Sequence, residues 1–315
     1  VASFKKPIPL RLGDTVAVIA PAGRPDLQGL RQSIEDLRSL GLAVVQYKDG
    51  RRDAAIAAFS ASDEFRAQEL AWALSEPGIK AVFCARAGYG NQRTLFHLQR
   101  NVRMMKLLKH ASPRFVLGYS DCTFLHQWIQ NQLKWISFHS PLVGFLKKPD
   151  LRVFVQALMS LPDRQADLNL GTARVLKRRG SASGRLVGGT LSLLRTAGPS
   201  QLPQEPMILC LEDVNEDHYA LDRLIWNLID AGWSPFVKGV ILGTFEKCGL
   251  RDRKKFPWSA VLESLEQLCA GPIVQVKSFG HGLKRQAILP LGCRVSLNSS
   301  GRVRVLESQV SSRRG

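Results

Sequence analysis

Short apolar runs alternate with helix-patterned segments through the first 120 residues, and that alternation confines the chain to a parallel sheet covered by helices. Thr15–Ala20 is an apolar run ending in Pro21-Ala22-Gly23, which reads as a buried strand and its turn. Asp26 is placed to cap the next helix. Leu27, Leu30, Ile34 and Leu37 recur there at helical spacing, and Gly41 stops it. Leu42–Tyr47 is the second strand and completes one β-α-β unit. Ser62 caps a helix with Ala67, Leu70, Ala71 and Leu74 on its apolar side, ended by Pro77-Gly78. A third strand, Ile79–Ala85, opens into Arg86-Ala87-Gly88-Tyr89-Gly90. After a helix near 91–109, Phe115–Leu117 opens into Gly118-Tyr119-Ser120-Asp121. Ligands of open α/β sheets sit beyond the carboxyl ends of the strands, so these two loops are expected on one rim.

The pattern weakens from about 150 to 184, where Pro149, Pro162 and Gly171 punctuate it and Lys177–Gly180 is a charged loop. A second α/β region begins near 185. Met207–Leu211 is a strand leading to Glu212-Asp213, and a helix carries Leu221, Leu224, Ile225, Leu228 and Ile229 up to Gly232. Val237–Phe245 is a strand, Ser259–Leu268 a helix, and Ile273–Val276 a strand leading to Phe279-Gly280-His281-Gly282. Arg294–Leu297 and Val303–Leu306 flank Asn298-Ser299-Ser300-Gly301, a hairpin signal. The expected architecture is an N-terminal three-layer α/β domain with a parallel sheet over 1–149, a connection over 150–184, and a second α/β domain over 185–315 with a small β-rich, barrel-like sheet.

Hydrophobic residues make up 45% and charged residues 22%, enough for a sizeable core in 315 residues. No uninterrupted apolar stretch is long enough to cross a bilayer, and no signal-peptide core follows Lys5-Lys6. The six cysteines are widely spaced without a C-x-x-C pair, which fits a reduced, cytoplasmic protein rather than a zinc ribbon. The net charge of +18 raises the possibility of nucleic-acid binding. The basic residues are nevertheless spread out. Their densest groups, Lys5-Lys6, Arg51-Arg52, Lys177-Arg178-Arg179, Arg251–Lys255 and Arg313-Arg314, lack the interleaved aromatics of a single-strand-binding surface. Solvated loops and ends account for them better, and neither nucleic acid nor membrane is expected as a partner.

Ser120 follows a strand and precedes an apolar, helix-compatible segment. A serine on such a turn projects its hydroxyl above the sheet edge, the geometry of a nucleophile; a plain helix-capping turn has the same sequence. The hydroxyl needs a base to take its proton, usually a histidine oriented by a carboxylate. His97, His110 and His126 fall in helical stretches, where a surface or packing role is expected. His281, between two glycines at a strand end, and Glu212, directly after a strand run, occupy places where catalytic residues occur. A turn residue and a capping acid are their bland alternatives. The amides of Asp121 and of Gly88 or Tyr89 are candidate oxyanion donors. Arg86 is a candidate fork for a substrate carboxylate, or one side of a structural salt bridge. No cofactor or metal is expected: no dinucleotide glycine motif, phosphate loop or H-E-x-x-H occurs.

Taken together, these motifs resemble the serine L,D-carboxypeptidase family, which includes murein tetrapeptide carboxypeptidases and microcin-immunity peptidases. The markers run in order: Gly13–Ala22, Arg86–Gly90, Gly118–Asp121, Phe138-His139-Ser140-Pro141, Gly188-Gly189-Thr190-Leu191, Leu211–Glu216 with Asp222-Arg223, and Gly280-His281-Gly282. The resemblance implies a Ser120–Glu212–His281 triad, an oxyanion hole from the amides of Asp121 and Gly88, a site at a domain interface and a homodimer. It implies release of a terminal D-alanine from cytoplasmic murein tetrapeptide during peptidoglycan recycling. Tyr89 and Arg86 then become substrate-binding candidates. Three positions depart from the family's habit: Ala87 and Ser140 stand where glycine is common, and Thr190 where asparagine is common. A same-fold immunity peptidase acting on a peptide-nucleotide is the nearest alternative. It would need an aromatic to stack on the base, and Trp128, Trp135 and Trp233 are the tryptophans considered for that role.

Overall fold

The computed structural model describes residues 3–50, 53, 58–177, 180–194, 205–251 and 254–311. Of the basic groups above, Arg51-Arg52, Arg178-Arg179, Arg253 and Arg313-Arg314 lie outside them. The chain divides into two compact units. One runs from Ser3 to Asp163 and takes in the chain end from Gln309; the other runs from Arg164 to Ser308.

The N-terminal unit alternates β1 (Thr15–Ile19), α1 (Leu27–Ser39), β2 (Ala43–Val45), α2 (Asp63–Ser75), β3 (Ile79–Cys84), α3 (Asn91–Arg100), α4 (Val102–His110), β4 (Phe115–Gly118), α5 (Cys122–Trp128), β5 (Ser137–His139) and α6 (Lys148–Met159). The five strands are parallel in the order β5-β4-β3-β1-β2. The caps are those that the side-chain chemistry dictates: Asp26 accepts from the Gly29 amide and Ser62 from the Phe65 amide. The stretch near 91–109 is two helices. Asn101 ends α3 with an extended backbone and caps α4 by accepting from the Met104 amide at 3.0 Å. β3 and β4 are almost wholly buried, as strands covered on both faces must be.

The C-terminal unit holds β6 (Ala166–Asp167), β7 (Arg174–Lys177), β8 (Ala182–Thr190), β9 (Met207–Val214), α7 (His218–Asp230), β10 (Val237–Glu246), α8 (Trp258–Leu268), β11 (Ile273–Gln275), β12 (Leu289–Leu291), β13 (Arg294–Leu297) and β14 (Val303–Val305). Its eight-stranded sheet has the order β6-β14-β13-β8-β9-β10-β11-β7, while β12 runs beside β8. The central strands β8 to β11 are parallel and the flanking pairs antiparallel, so the sheet is mixed and curls toward a half-barrel. The hairpin at Asn298–Gly301 joins β13 to β14 in antiparallel register. One core packs Leu209, Leu211, Val240 and Leu242 of the sheet against Leu221, Ile225 and Leu228 of α7 and Val261, Leu265 and Leu268 of α8. Each such side chain contributes roughly 1.5–3 kcal/mol by leaving water.

The span 150–184 is no bare connection. Most of α6 lies in it and packs beside α1, and β6 and β7 form the two edges of the second sheet. Two- and four-residue edge strands carry too little periodicity to be seen without their partners.

Candidate active site

Ser120 follows β4 in a left-handed backbone conformation, φ 61°, which L-residues rarely adopt. Holding a non-glycine residue there costs about 1–3 kcal/mol, and such strain gathers at functional turns. The Thr123 amide donates to the Ser120 carbonyl at 2.8 Å, so α5 begins directly behind the serine. Gly118 is needed under this elbow: a Cβ there would sit 2.7 Å from Cys122 Sγ and 3.2 Å from Cys84 Cβ. Cys122 is no competing nucleophile. Contact with Cys84 and burial both push its thiol well above the ordinary value. His126 is buried beneath the turn, its Nε2 donating to the Gly118 carbonyl at 2.9 Å. Burial lowers its pKa to about 4, so it stays neutral.

Asp121 does not cap α5. Its Oδ2 accepts from the Asn91 amide at 2.8 Å and from Asn91 Nδ2 at 2.9 Å. Burial raises its carboxyl pKa, and these donors oppose the rise. Asn91 opens α3 immediately after the Arg86–Gly90 loop. β3 and β4 are parallel neighbours, so both loops leave the same sheet edge, and Asp121 clamps one to the other.

Gly88 adopts φ 86° and Gly90 φ 140°. The Ala87 carbonyl accepts from the Gly23 amide at 2.9 Å, tying this loop to the one after β1. A Cβ on Gly23 would lie 2.7 Å from that oxygen. Ala87 is buried, whereas Arg86, Gly88 and Tyr89 are exposed. Tyr89 packs its ring on Phe59, 5.6 Å between centroids. Two buried charges on α2 brace the loops that follow β1 and β3. Arg66 donates from Nη1 to the Pro21 and Gly90 carbonyls, both at 3.0 Å, and from Nε to the Ala61 carbonyl at 3.2 Å. Glu69 accepts from the Ala20 amide at 3.1 Å.

In the C-terminal unit, Glu212 near the end of β9 has no exposure. Its Oε2 accepts from His281 Nδ1 at 2.6 Å and from the His281 amide at 3.1 Å. A carboxylate only accepts, so Nδ1 carries the proton and Nε2 the lone pair, the tautomer of a general base. Thr190 donates to Oε1 at 2.5 Å. The glycines around His281 are demanded by space. A Cβ on Gly280 (φ 110°) would lie 2.3 Å from Thr244 Oγ1 and 2.9 Å from Glu212 Cβ. Thr244 in turn donates to the His281 carbonyl at 2.7 Å. Burial pulls the His281 pKa down, but the hydrogen bond and charge of Glu212, with Asp213 and Glu246 behind it, carry it above the ordinary histidine value. The neighbouring Asp213 is pushed up to about 6 by burial, with the Glu212 charge adding to the rise. It accepts from the Ser192 amide at 2.7 Å and the Val214 amide at 2.8 Å.

Glu212 and His281 are therefore brought together, as are Asp121 and the Gly88 loop. Ser120 belongs to the N-terminal unit and the carboxylate–imidazole pair to the C-terminal one. Sequence reasoning missed Arg66, Glu69, Asn91 and Thr244. Arg66 and Glu69 had one faint signal: two charges three residues apart in an otherwise largely apolar helix, both lying off its recognised stripe. Trp128, Trp135 and Trp233 are all buried within their own units, at 5%, 1% and 2% exposure.

Family models described as the LD-carboxypeptidase N-terminal domain and the LD-carboxypeptidase C-terminal domain match residues 16–140 and 183–297. The chain belongs to the LD-carboxypeptidase family. It is a peptide hydrolase. Among the relatives of this LD-carboxypeptidase is the probable murein peptide carboxypeptidase of Bacillus subtilis, 30% identical over 97% of this chain and 95% of that protein. The muramoyltetrapeptide carboxypeptidase structure from Oxalobacter formigenes is 26% identical, covering 94% of this chain and all of that one, with a TM-score of 0.76. A structure of MccF in complex with glutamyl sulfamoyl guanosine shares the fold at 20% identity and a TM-score of 0.80, covering 97% of this chain and 99% of that chain.

Proposed function

We propose that this LD-carboxypeptidase is a serine enzyme that removes the terminal D-alanine from murein tetrapeptide in the cytoplasm during wall recycling, and that it works as a homodimer. The observation that carries the chemistry is the buried Glu212 carboxylate, which takes both His281 N–H groups on one oxygen. Nε2 of His281 accepts the Ser120 proton as Oγ attacks the carbonyl of the residue before the D-alanine. The amides of Asp121 and Gly88 stabilise the oxyanion; removing one such donor typically costs about 10²–10³ in kcat. The imidazolium then gives its proton to the departing D-alanine amine. Water, activated by the same imidazole, hydrolyses the acyl-serine. Glu212 stays ionised throughout and stabilises the imidazolium. The exposed Arg86 and Tyr89, on the loop that carries Gly88, are suited to meet the peptide, the Arg86 guanidinium by donating to a carboxylate of the peptide.

A second reading is an immunity-type peptidase that cleaves a peptide-nucleotide; the fold shared with MccF favours it. Burial of Trp128, Trp135 and Trp233 removes the three tryptophans considered for stacking on a nucleobase. The test offers both substrates to the full chain. Release of D-alanine from L-Ala-γ-D-Glu-diaminopimelate-D-Ala at a kcat/KM at least ~10² above that for a peptidyl sulfamoyl nucleoside, about 2.7 kcal/mol of discrimination, supports the murein reading. The reverse ratio overturns it.

A further inference from the structure

We propose that Thr190 is a positioning residue of this acid–base pair: its hydroxyl holds the Glu212 carboxylate in the orientation that faces His281. The inference rests on Glu212 and His281 acting as proposed above, and it names a residue outside that triad.

β8 and β9 are parallel, and Thr190 stands directly opposite Glu212 in their register. Side chains paired in this way leave the same face of the sheet. Two glycines precede the threonine, Gly188 at φ 145° and Gly189 at φ 134°. A Cβ on Gly188 would lie 1.9 Å from the Cys210 carbonyl oxygen, so only glycine permits β8 to run this close to β9. The close approach lets a side chain as short as threonine reach the carboxylate. Thr190 is 3% exposed and Glu212 0%. The carboxylate is thus held at both ends, Oε1 by the Thr190 hydroxyl and Oε2 by the His281 amide and Nδ1. Rotation about the terminal carboxylate torsion is intrinsically soft. With the hydroxyl gone, a buried oxygen loses a charge-assisted donor, and the group gains by swinging to other donors and taking Oε2 off the imidazole. The threonine also marks a departure from the family habit noted above, and the geometry gives it a definite task.

Three full-length variants test this: Thr190→Val, Thr190→Ser and Glu212→Gln. Turnover is followed by D-alanine release from the murein tetrapeptide. The imidazole Nδ1–H is followed by its deshielded proton NMR signal, which needs no substrate and is assigned by its loss in Glu212→Gln. Thr190→Val is expected to lower kcat about 10–100-fold with KM within about twofold, as loss of an orienting partner does. It should weaken the Nδ1–H signal. It should also move the acid limb of kcat/KM to lower pH, because His281 keeps the charges of Asp213 and Glu246 but loses contact with Glu212. Thr190→Ser, which retains the hydroxyl, should recover most of the loss. A valine variant with wild-type kcat and an intact signal overturns the inference. So does a serine variant as impaired as the valine one, which would place the effect in packing. If Glu212→Gln itself keeps wild-type turnover, the acid–base reading has failed instead.

Discussion

At the scale of single residues, a carboxylate with no exposure fixes which ring nitrogen of His281 carries a proton. An ionised group buried without partners would be costly, and Glu212 avoids that cost by receiving donors at both oxygens. The same contact sets the tautomer of His281 and raises its pKa. A base must be neutral to accept a proton, so kcat/KM is expected to fall as pH drops through this raised value. Glu212→Gln removes the negative charge that favours the imidazolium, so the surviving activity should lose its acid limb at lower pH than wild type. The amide also presents an N–H to Nδ1 and favours the wrong tautomer, so kcat should fall by about 10⁴. A pH profile of kcat/KM for both proteins checks this; an unshifted limb in the variant would separate Glu212 from the titration of His281. The strand-end turn of Ser120 and the Glu212–His281 contact were legible in the sequence as places for a triad, because each of the three residues stands beside a strand end, next to a motif that glycine or acidic residues mark. Thr190 was legible only as a departure, since hydrogen bonding across a parallel ladder leaves no trace in sequence periodicity.

At the scale of elements, the rim of the first sheet is built by helices that reach under its loops. The alternation of strands and helices was readable because buried strands and amphipathic helices have distinct periods. The break between α3 and α4 was hidden, because Asn101 interrupts a pattern that stays helical on both sides. The bracing by α2 was hidden for another reason. Its apolar stripe was recognised, but Arg66 and Glu69 are buried off that stripe, Arg66 serving the Ala61, Pro21 and Gly90 carbonyls and Glu69 the Ala20 amide. Arg66→Met should therefore do two things at once. Stability should fall by about 3 kcal/mol, the scale for breaking a buried charged network, as read by urea unfolding of the full chain. Activity at temperatures where the variant stays folded should also fall, because the Gly90 carbonyl loses its anchor beside the proposed oxyanion donor Gly88. Wild-type stability in that variant would show the network to be dispensable.

At the scale of the whole molecule, the two family matches fall one on each of the two compact units. In the proposed mechanism the N-terminal unit supplies the serine and the glycine loop, and the C-terminal unit the imidazole. The edges of the second sheet, β6 and β7, were read from sequence as a connection, because an edge strand is defined by its partner and not by its own few residues. The net charge of +18 is not confined to loops and ends: Arg93 and Arg100 of α3, Arg103, Lys106 and Lys109 of α4 and Arg223 of α7 carry part of it, and it enters no step of the proposed mechanism. No helix among the described residues is long and apolar enough to cross a membrane. The central claim is that three side chains far apart in the sequence act on one peptide bond, and one measurement bears on it most directly: free D-alanine released from L-Ala-γ-D-Glu-diaminopimelate-D-Ala by wild-type and Ser120→Ala protein at equal concentration. The wild type is predicted to release it and the variant to be slower by at least ~10³-fold; near-normal release by Ser120→Ala would contradict the account.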